Sequence, residues 1–337
     1  MAAPEPWENP ELLGHAAAER ELLAAARGGR LHHAWLITGP SGIGKATLAY
    51  RFARRLFAGL PADRESLWLD PANSVFHRVA AGAHADLRTI TRTVDPKTGR
   101  QHRDILVDDV RAGTAFLHLT AIEGGFRVVI IDPAESLNGN AANALLKVLE
   151  EPPAAALLLL VSAAPGRLPA TLRSRCRALR LSPLADRDVA LLLSRYRPDV
   201  AAEERARLVV LAEGSPGRAL RLAGEEGVAM AKLVDEVLSG LPRFGTQRAH
   251  GVVDRLGRGE TGFPLFMELL LGRLAAAVRA GARDRADAEQ RRLLQLRPLD
   301  AWGEVWHALS RLADETERFS LDKRQAVVSG LALLDGP

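Results

Sequence analysis

A glycine-rich segment between an apolar run and an amphipathic stretch has the composition of a phosphate-binding loop. It spans residues 39–47 and fits the G-x-x-x-x-G-K pattern of a P-loop. Glycines let the backbone curl so that successive N–H groups face phosphate oxygens, and the lysine adds a positive charge. A plain glycine-rich turn is the simpler alternative. The candidate phosphate-binding residues are Gly39, Pro40, Ser41, Gly42, Ile43, Gly44, Lys45, Ala46 and Thr47.

Two positions lack the side chains that phosphate hydrolysis requires. Ala46 follows the lysine, where a serine or threonine hydroxyl normally coordinates Mg²⁺, and Thr47 is displaced by roughly 100° around the helix. A second apolar run ends at Asp132, which is placed to hold a metal ion or metal-bound water, but Pro133 follows it and cannot accept a proton from water. We expect Glu135 to be a solvated acid at a helix start. Nucleotide binding should therefore survive these changes better than hydrolysis.

Hydrophobic periodicity predicts strands that alternate with helices around these residues. The predicted strands cover 34–39, 87–92, 126–132, 154–163 and 176–181, and the clearest helices cover 45–60 and 140–151. Continuous apolar strands need both faces buried, so we expect an α/β fold with a parallel sheet covered by helices.

The strand pattern stops after residue 181, which divides the chain into predicted domains. We expect a P-loop nucleotide-binding-type domain over 1–181, a small helical domain over 182–240 and a separate helical domain over 241–337. The last of these contains no convincing strand pattern.

Composition excludes several classes of protein. The 337 residues are 47% hydrophobic, enough for packed cores, and the net charge of +4 decides little about nucleic-acid binding. The single cysteine, Cys176, excludes an internal disulfide and a cysteine-rich zinc site, and we expect it to be a buried small residue. No apolar stretch is long enough to span a membrane, and the start lacks a secretory pattern, so we expect a cytoplasmic protein with no membrane partner.

Four segments carry motifs that resemble the clamp-loader branch of AAA+ proteins. They are HHAWLITGPSGIGKATLA at 32–49, NGNAANALLKVLEEPP at 138–153, LPATLRSRCRALRL at 168–181 and GSPGRALRLA at 214–223. The LLKVLEEPP and Ser-Arg-Cys motifs together are far more specific than a P-loop alone. The resemblance covers about residues 10–225, and it implies an AAA+ P-loop domain, a small helical lid domain and an all-helical C-terminal collar domain that serves oligomerisation.

The resemblance also implies roles for single residues. Asp132 marks the second acidic motif, Ser162 lies at the sensor-1 strand end, and Arg218 matches the sensor-2 arginine. Arg175 corresponds to an arginine finger, which projects from one subunit into a neighbour's nucleotide site. The alternative for either arginine is a surface ion pair. Lys147 is interpreted as structural or as part of a subunit face.

Within this family, the residues at 46 and 133 resemble a subunit class that keeps the ATPase fold without hydrolysis. The implied function is a non-hydrolysing clamp-loader subunit that helps load a sliding clamp onto primed DNA and donates Arg175 to a neighbouring ATPase subunit. Its implied partners are ATPase subunits and a delta subunit in a hetero-oligomeric ring, with clamp and DNA reached through the complex.

The implied cofactors follow from the same resemblance. ATP is possible, Mg²⁺ would enter only with the nucleotide, and no zinc is expected because residues 59–105 contain no cysteine. His32 and His33 are interpreted as packing or adenine-side residues. Two alternatives stay open: an ATP-hydrolysing motor subunit of the same assembly, and a P-loop kinase acting on a small molecule, which would leave the LLKVLEEPP and Ser-Arg-Cys motifs unexplained.

Overall fold

The computed structural model of the chain describes residues 3–29, 31–59, 65–95, 99, 101–123, 125–256 and 262–335. Within these ranges the chain forms two compact units, with the division between Leu220 and Arg221. None of the helices in these ranges combines the length and apolar character that a membrane crossing requires.

A parallel five-stranded sheet forms the centre of the first unit. Its strands are β1 (Ala34–Thr38), β2 (Leu87–Ile90), β3 (Arg127–Ile131), β4 (Ala156–Ser162) and β5 (Arg177–Arg180). They lie in the order β2-β3-β4-β1-β5, and every neighbouring pair is parallel. Strands β3 and β4 are buried along their whole length because they are interior strands. The segments that follow parallel strands meet at one edge of the sheet, which is where such folds bind ligands.

Helices cover the sheet and continue beyond it. They are α1 (Ala16–Arg27), α2 (Lys45–Phe57), α3 (Ser74–Ala80), α4 (Val107–Leu117), α5 (Gly139–Glu150), α6 (Ala170–Arg173), α7 (Asp186–Tyr196), α8 (Ala202–Ala212) and α9 (Pro216–Leu222). Helix α5 begins where the Asn138 side chain accepts a hydrogen bond of 2.8 Å from the N–H of Ala141. It buries Leu145 and Leu149, one helical turn apart, in the sheet's core.

The described residues of the second unit form helices joined by turns and loops, with no strand among them. Its helices are α10 (Glu225–Ser239), α11 (Thr246–Arg255), α12 (Gly262–Gly281), α13 (Ala288–Leu294), α14 (Leu299–Phe319) and α15 (Lys323–Asp335). Trp302 of α14 is fully buried, and the Trp306 indole N–H donates 3.0 Å to the carbonyl of Leu271 in α12. The Asp335 carboxylate accepts hydrogen bonds from the N–H groups of Phe244 and Gly245, which fixes α15 against the segment before α11.

Buried arginines on α2 fasten the segment that follows this helix. The Arg51 guanidinium lies 2.7 Å from Glu19 of α1, and both side chains are less than a tenth exposed. The second Glu19 oxygen accepts from the Ser66 hydroxyl at 3.2 Å and from the N–H of Leu67 at 3.4 Å. Arg54 lies 4.2 Å above the Phe76 ring of α3, and burial lowers its pKa to about 9. These contacts join α1 and α2 to α3 and to residues 66–67, which lie in the cysteine-free region from 59 to 105.

The structure confirms the predicted α/β class and parallel sheet. Each of the five predicted strands is present, with ends that differ from the predicted ones by at most two residues. The predicted helix over 45–60 ends at Phe57, and residue 60 lies outside the described residues. The two predicted domain boundaries, after residues 181 and 240, stay predictions.

Candidate phosphate-binding site

The glycine-rich loop joins the interior strand β1 to helix α2, as predicted. Gly39, Gly42 and Gly44 have φ angles of 145°, 75° and 102°, a region that L side chains rarely adopt. Lys45 begins α2 and is buried, and its ammonium group donates to the carbonyl oxygens of Gly39 at 2.8 Å and Pro40 at 2.6 Å. The loop therefore has the backbone shape of a phosphate cradle, and its lysine bridges the loop's own carbonyl groups.

Helix α9 packs directly on one side of this loop. The Ser215 hydroxyl donates to the carbonyl of Ser41 at 2.7 Å, and the N–H of Gly217 donates to the carbonyl of Gly42 at 2.9 Å. A Cβ atom placed on Gly217 would lie 2.9 Å from the Gly42 Cα, closer than real Cβ contacts. The two backbones can approach this closely only because both residues are glycine.

The N-terminal segment packs on another part of the same loop. His15 is buried, and its Nε2 atom lies 2.7 Å from the carbonyl oxygen of Ile43, so this nitrogen carries a proton and donates. Burial lowers the pKa of His15. A Cβ atom on Gly44 would lie 2.7 Å from the Leu12 side chain. Protein atoms thus hold the loop from two directions.

Asp132 follows β3 at the same edge of the sheet. Burial raises its pKa to about 6, although the charges of Lys45 and Arg92 act in the opposite direction. Burial also lowers the pKa of Lys45, although the negative charges of Glu135 and Asp132 act to raise it. The structure therefore gathers one ammonium group and two carboxyl groups beside the loop.

Glu135 is held by the protein instead of being solvated, which corrects the expectation from sequence. Its Oε1 atom accepts 3.0 Å from the N–H of Ala163, the residue after β4, and its Oε2 atom is buried. Ser162 ends β4 beside Thr38 of β1 and is fully buried. Its hydroxyl has no hydrogen-bond partner among the described residues. Ser162 thus adjoins the start of the loop, as the parallel register requires, and its sensor-1 role stays a prediction.

Arg175 and Arg218 lie in different surroundings. The Arg175 guanidinium pairs with Glu150 at 2.6 Å and donates to the carbonyl of Thr171 at 2.8 Å, so both described partners lie on α5 and α6. Arg218 lies on α9, close to the loop, and its guanidinium lies 3.4 Å from Glu213. The surface ion pair considered for Arg175 is therefore present within the chain.

His32, His33 and Cys176, which the sequence also singled out, make packing contacts within the protein. His32 and His33 precede β1, at the edge of the sheet opposite the loop, and their rings stack at 4.4 Å. His33 donates 3.0 Å to the carbonyl of Leu149 near the end of α5. These are packing contacts, and the adenine-side interpretation of the pair stays a prediction. Cys176 is partly buried against the core, and burial raises its pKa to about 12.

The residues at this edge fit a phosphate better than a magnesium ion. The loop backbone and Lys45 are suited to phosphate oxygens. A hydrated Mg²⁺ needs oxygen ligands, but Ala46 offers a methyl group and the partly buried Asp132 favours its protonated form up to about pH 6. No group of three or more His, Cys, Asp or Glu side chains in the described part of the chain is arranged to hold a metal ion.

Sequence reasoning missed the residues that brace the loop. Ser215 and Gly217 lie in a motif that drew attention only for Arg218, while Leu12 and His15 lie in a segment without motif character. The one signal available was the Gly-Ser-Pro-Gly composition at 214–217, because glycine permits a close approach of two backbones.

Comparison with known proteins adds independent information. Residues 14–185 match the family model described as DNA polymerase III, delta subunit. The chain is 40% identical over 209 residues to the DNA polymerase III subunit delta' of Pseudomonas aeruginosa, which covers 61% of each chain. It is 37% identical over 219 residues to the subunit delta' of Escherichia coli, covering 64% of this chain and 60% of the relative. The chain thus spans about three fifths of the length of these curated relatives.

A solved structure of a DNA polymerase III gamma subunit-related protein from Thermotoga maritima is also similar. It shows a TM-score of 0.45 and 15% identity, and the match covers 93% of this chain and 98% of that one. This similarity is too low to bear on function.

Proposed function

The chain belongs to the DNA polymerase III delta subunit family, and from that premise we propose that it is a non-hydrolysing subunit of a bacterial clamp loader, of the delta' type. In this proposal the chain occupies a fixed place in a hetero-oligomeric ring that loads the sliding clamp onto primed DNA. ATPase subunits and a delta subunit are its ring partners, and it reaches clamp and DNA through the complex. Residues 241–337 serve as its oligomerisation collar.

The proposal rests mainly on the side chains around Asp132, at the edge of the sheet where the glycine-rich loop lies. A water molecule that attacks a phosphate needs a carboxylate base and a metal ion with oxygen ligands. Here Pro133 follows Asp132, and the nearby Glu135 is engaged by the Ala163 N–H. Ala46 supplies no hydroxyl next to Lys45. The loop keeps its shape, while the groups that would activate water are missing or, for Glu135, held through one carboxylate oxygen.

Two further contacts support a fixed, non-cycling role. The Ser215 and Gly217 hydrogen bonds fasten α9 to the loop carbonyl groups of Ser41 and Gly42. An ATPase that works by nucleotide-dependent movement of its lid would have to break such contacts in each cycle. We therefore expect weak or no ATP binding by this chain, with Mg²⁺ entering only alongside nucleotide.

In the same proposal Arg175 acts on a neighbouring subunit. A guanidinium placed at the charge that develops on a transferring phosphoryl group contributes on the order of 10³–10⁵ in rate in well-studied systems. Arg175→Ala should leave assembly intact and reduce ATP turnover at the adjoining site and clamp loading. Arg175→Lys should rescue poorly, because a point charge does not replace a planar fork of donors.

Steady-state ATPase activity of the purified chain tests the proposal. We expect no turnover above background, with Lys45→Ala as the matched control. Substituting Ala46→Ser and Pro133→Glu together should not restore full activity, because the isolated chain has no neighbour to supply an arginine. Robust turnover by the unmodified chain, lost on Lys45→Ala, would instead identify an ATP-hydrolysing motor subunit.

A further inference from the structure

Glu150 lies at a position where an acidic side chain is unfavourable for the helix that carries it. It is the last residue of α5, and the C-terminal end of a helix carries a partial negative charge. An acid there destabilises the helix if nothing compensates its charge. The stability of α5 therefore does not account for Glu150, and its role has to come from what its carboxylate contacts.

The contact is with Arg175. The Glu150 Oε1 atom lies 2.6 Å from an Nη atom of Arg175, and the other Nη atom donates 2.8 Å to the carbonyl of Thr171. The Glu150 side chain is 52% exposed and that of Arg175 is 35% exposed. Ion pairs this exposed contribute little to stability, because solvent screens the two charges. The pair thus orients the guanidinium more than it stabilises the fold.

This orientation leaves donors for a second acceptor. A guanidinium carries five N–H donors in one rigid plane, and the two described bonds use one on each Nη nitrogen. Two anchors on different nitrogens fix that plane in space, since the carboxylate belongs to α5 and the carbonyl belongs to α6. The remaining donors of a partly exposed side chain are then available to an anion outside this chain.

We propose that Glu150 is the positioning residue for Arg175 in catalysis at the neighbouring subunit. The inference rests on the proposed function, in which Arg175 meets a neighbour's phosphoryl group. Glu150 holds the guanidinium plane before the subunits meet, so the ordering of a long, mobile side chain is already complete when the transition state forms. Such preorganisation lowers the barrier to the reaction without a requirement for tighter nucleotide binding.

The neighbouring pair of Arg177 and Glu21 supplies a matched control. Arg177 lies two residues further along the chain, pairs with Glu21 at 2.9 Å, and the two side chains are 46% and 41% exposed. Glu21→Ala removes a similar surface carboxylate without touching Arg175. Any effect of lost surface charge should therefore be shared by Glu21→Ala and Glu150→Ala, and any effect through Arg175 should not.

The experiment uses the full chain in a reconstituted complex in which only the ATPase subunit adjoining it has an intact nucleotide loop. The kcat and KM for ATP are measured for Glu150→Ala, Glu150→Gln, Glu21→Ala, Arg175→Ala and the double variant, with assembly confirmed by gel filtration. Glu150→Ala should lower kcat about 3- to 10-fold, the cost of ordering one mobile side chain, with KM unchanged. Glu150→Gln, which keeps an acceptor oxygen, should lie between wild type and Glu150→Ala.

The double variant decides whether Glu150 acts through Arg175. In the Arg175→Ala background, Glu150→Ala should have no further effect on kcat. If Arg175→Ala lowers kcat and Glu150→Ala leaves it unchanged or raises it, the positioning role is wrong and the finger role stands. Equal effects of Glu150→Ala in both backgrounds would also overturn it. If Arg175→Ala itself has no effect, the finger role fails and the positioning role fails with it.

Discussion

Gly217→Ala is the substitution that most directly tests the contact between α9 and the glycine-rich loop. A Cβ atom at this position would lie 2.9 Å from the Cα and 3.1 Å from the carbonyl oxygen of Gly42. Both are backbone atoms, so neither can rotate away. Either the loop and the helix move apart or the clash stays, and both outcomes weaken the contact.

The magnitude can be bounded in two ways. Overpacking by one methyl group costs about 1–3 kcal/mol, and alanine regains up to about 1 kcal/mol over glycine within a helix. Alternatively the helix withdraws and breaks the Ser215–Ser41 and Gly217–Gly42 hydrogen bonds of 2.7 and 2.9 Å, each worth about 1 kcal/mol. The first route gives a net loss of about 0–3 kcal/mol and the second a net loss of about 1–2 kcal/mol, so we expect the loss to lie in the shared range of about 1–2 kcal/mol.

Hydrogen exchange followed by mass spectrometry measures this loss locally. A two-unit chain need not unfold in one step, so peptides that cover residues 39–47 and 214–222 are more informative than a single global transition. The expected loss corresponds to exchange about 5- to 30-fold faster in both peptides. Gly139→Ala is the matched control, because a Cβ on Gly139 meets no atom within 4 Å. If the two variants exchange at the same rate in these peptides, the close-contact argument is refuted.

Three further predictions concern buried groups. Because burial raises the pKa of Asp132 from 3.8 to about 6, the folded state favours its protonated form. This stabilisation of the folded state is fully present below about pH 4 and is lost as the pH rises through about 6. At about 1.4 kcal/mol per pKa unit, Asp132→Asn should therefore raise the free energy of unfolding by about 3 kcal/mol at pH 7.5. Urea unfolding at pH 4.5 and 7.5 checks this, and a pH dependence identical to wild type would contradict it. Glu19→Ala leaves the Arg51 charge buried and should cost about 3–5 kcal/mol, whereas Glu21→Ala should cost less than about 1 kcal/mol in the same urea assay. Cys176, with its pKa raised to about 12, should be alkylated by iodoacetamide at pH 8 at least about 100-fold more slowly in the folded chain than in urea, and equal rates would show an accessible thiolate.

The sheet and the glycine-rich loop could be predicted because their signals are local. An apolar run such as Leu157–Val161 has to be buried on both faces, and the strand–loop–helix order around Lys45 fixes where a phosphate would bind. The same logic could not locate Arg51 and Arg54. Charged residues on an amphipathic helix normally face water, but Glu19 and the backbone of Trp7 and Asn9 cover them here. Those partners come from segments far away in sequence.

Glu135 escaped prediction for a related reason. Its position after Pro133 indicated a helix start, where an acid is stabilised in water by the helix dipole. Its actual partner, the N–H of Ala163, follows β4, and only the β3–β4 pairing brings the two segments together. Local sequence fixes the type of an element, whereas the partner of a polar side chain depends on strand order.

The glycines of the loop have a packing role that is independent of any ligand. A Cβ on Gly39 would lie 2.5 Å from the carbonyl oxygen of Leu181, one on Gly42 would lie 2.7 Å from the Ser215 hydroxyl, and one on Gly44 would lie 2.7 Å from Leu12. Each also has a φ angle that disfavours larger residues. Ala46, by contrast, lies on a position where a missing hydroxyl disturbs no described contact. All three glycines are therefore needed for the fold whether or not the chain hydrolyses ATP, and the phosphate-loop pattern in its sequence is not by itself evidence that phosphate binds there.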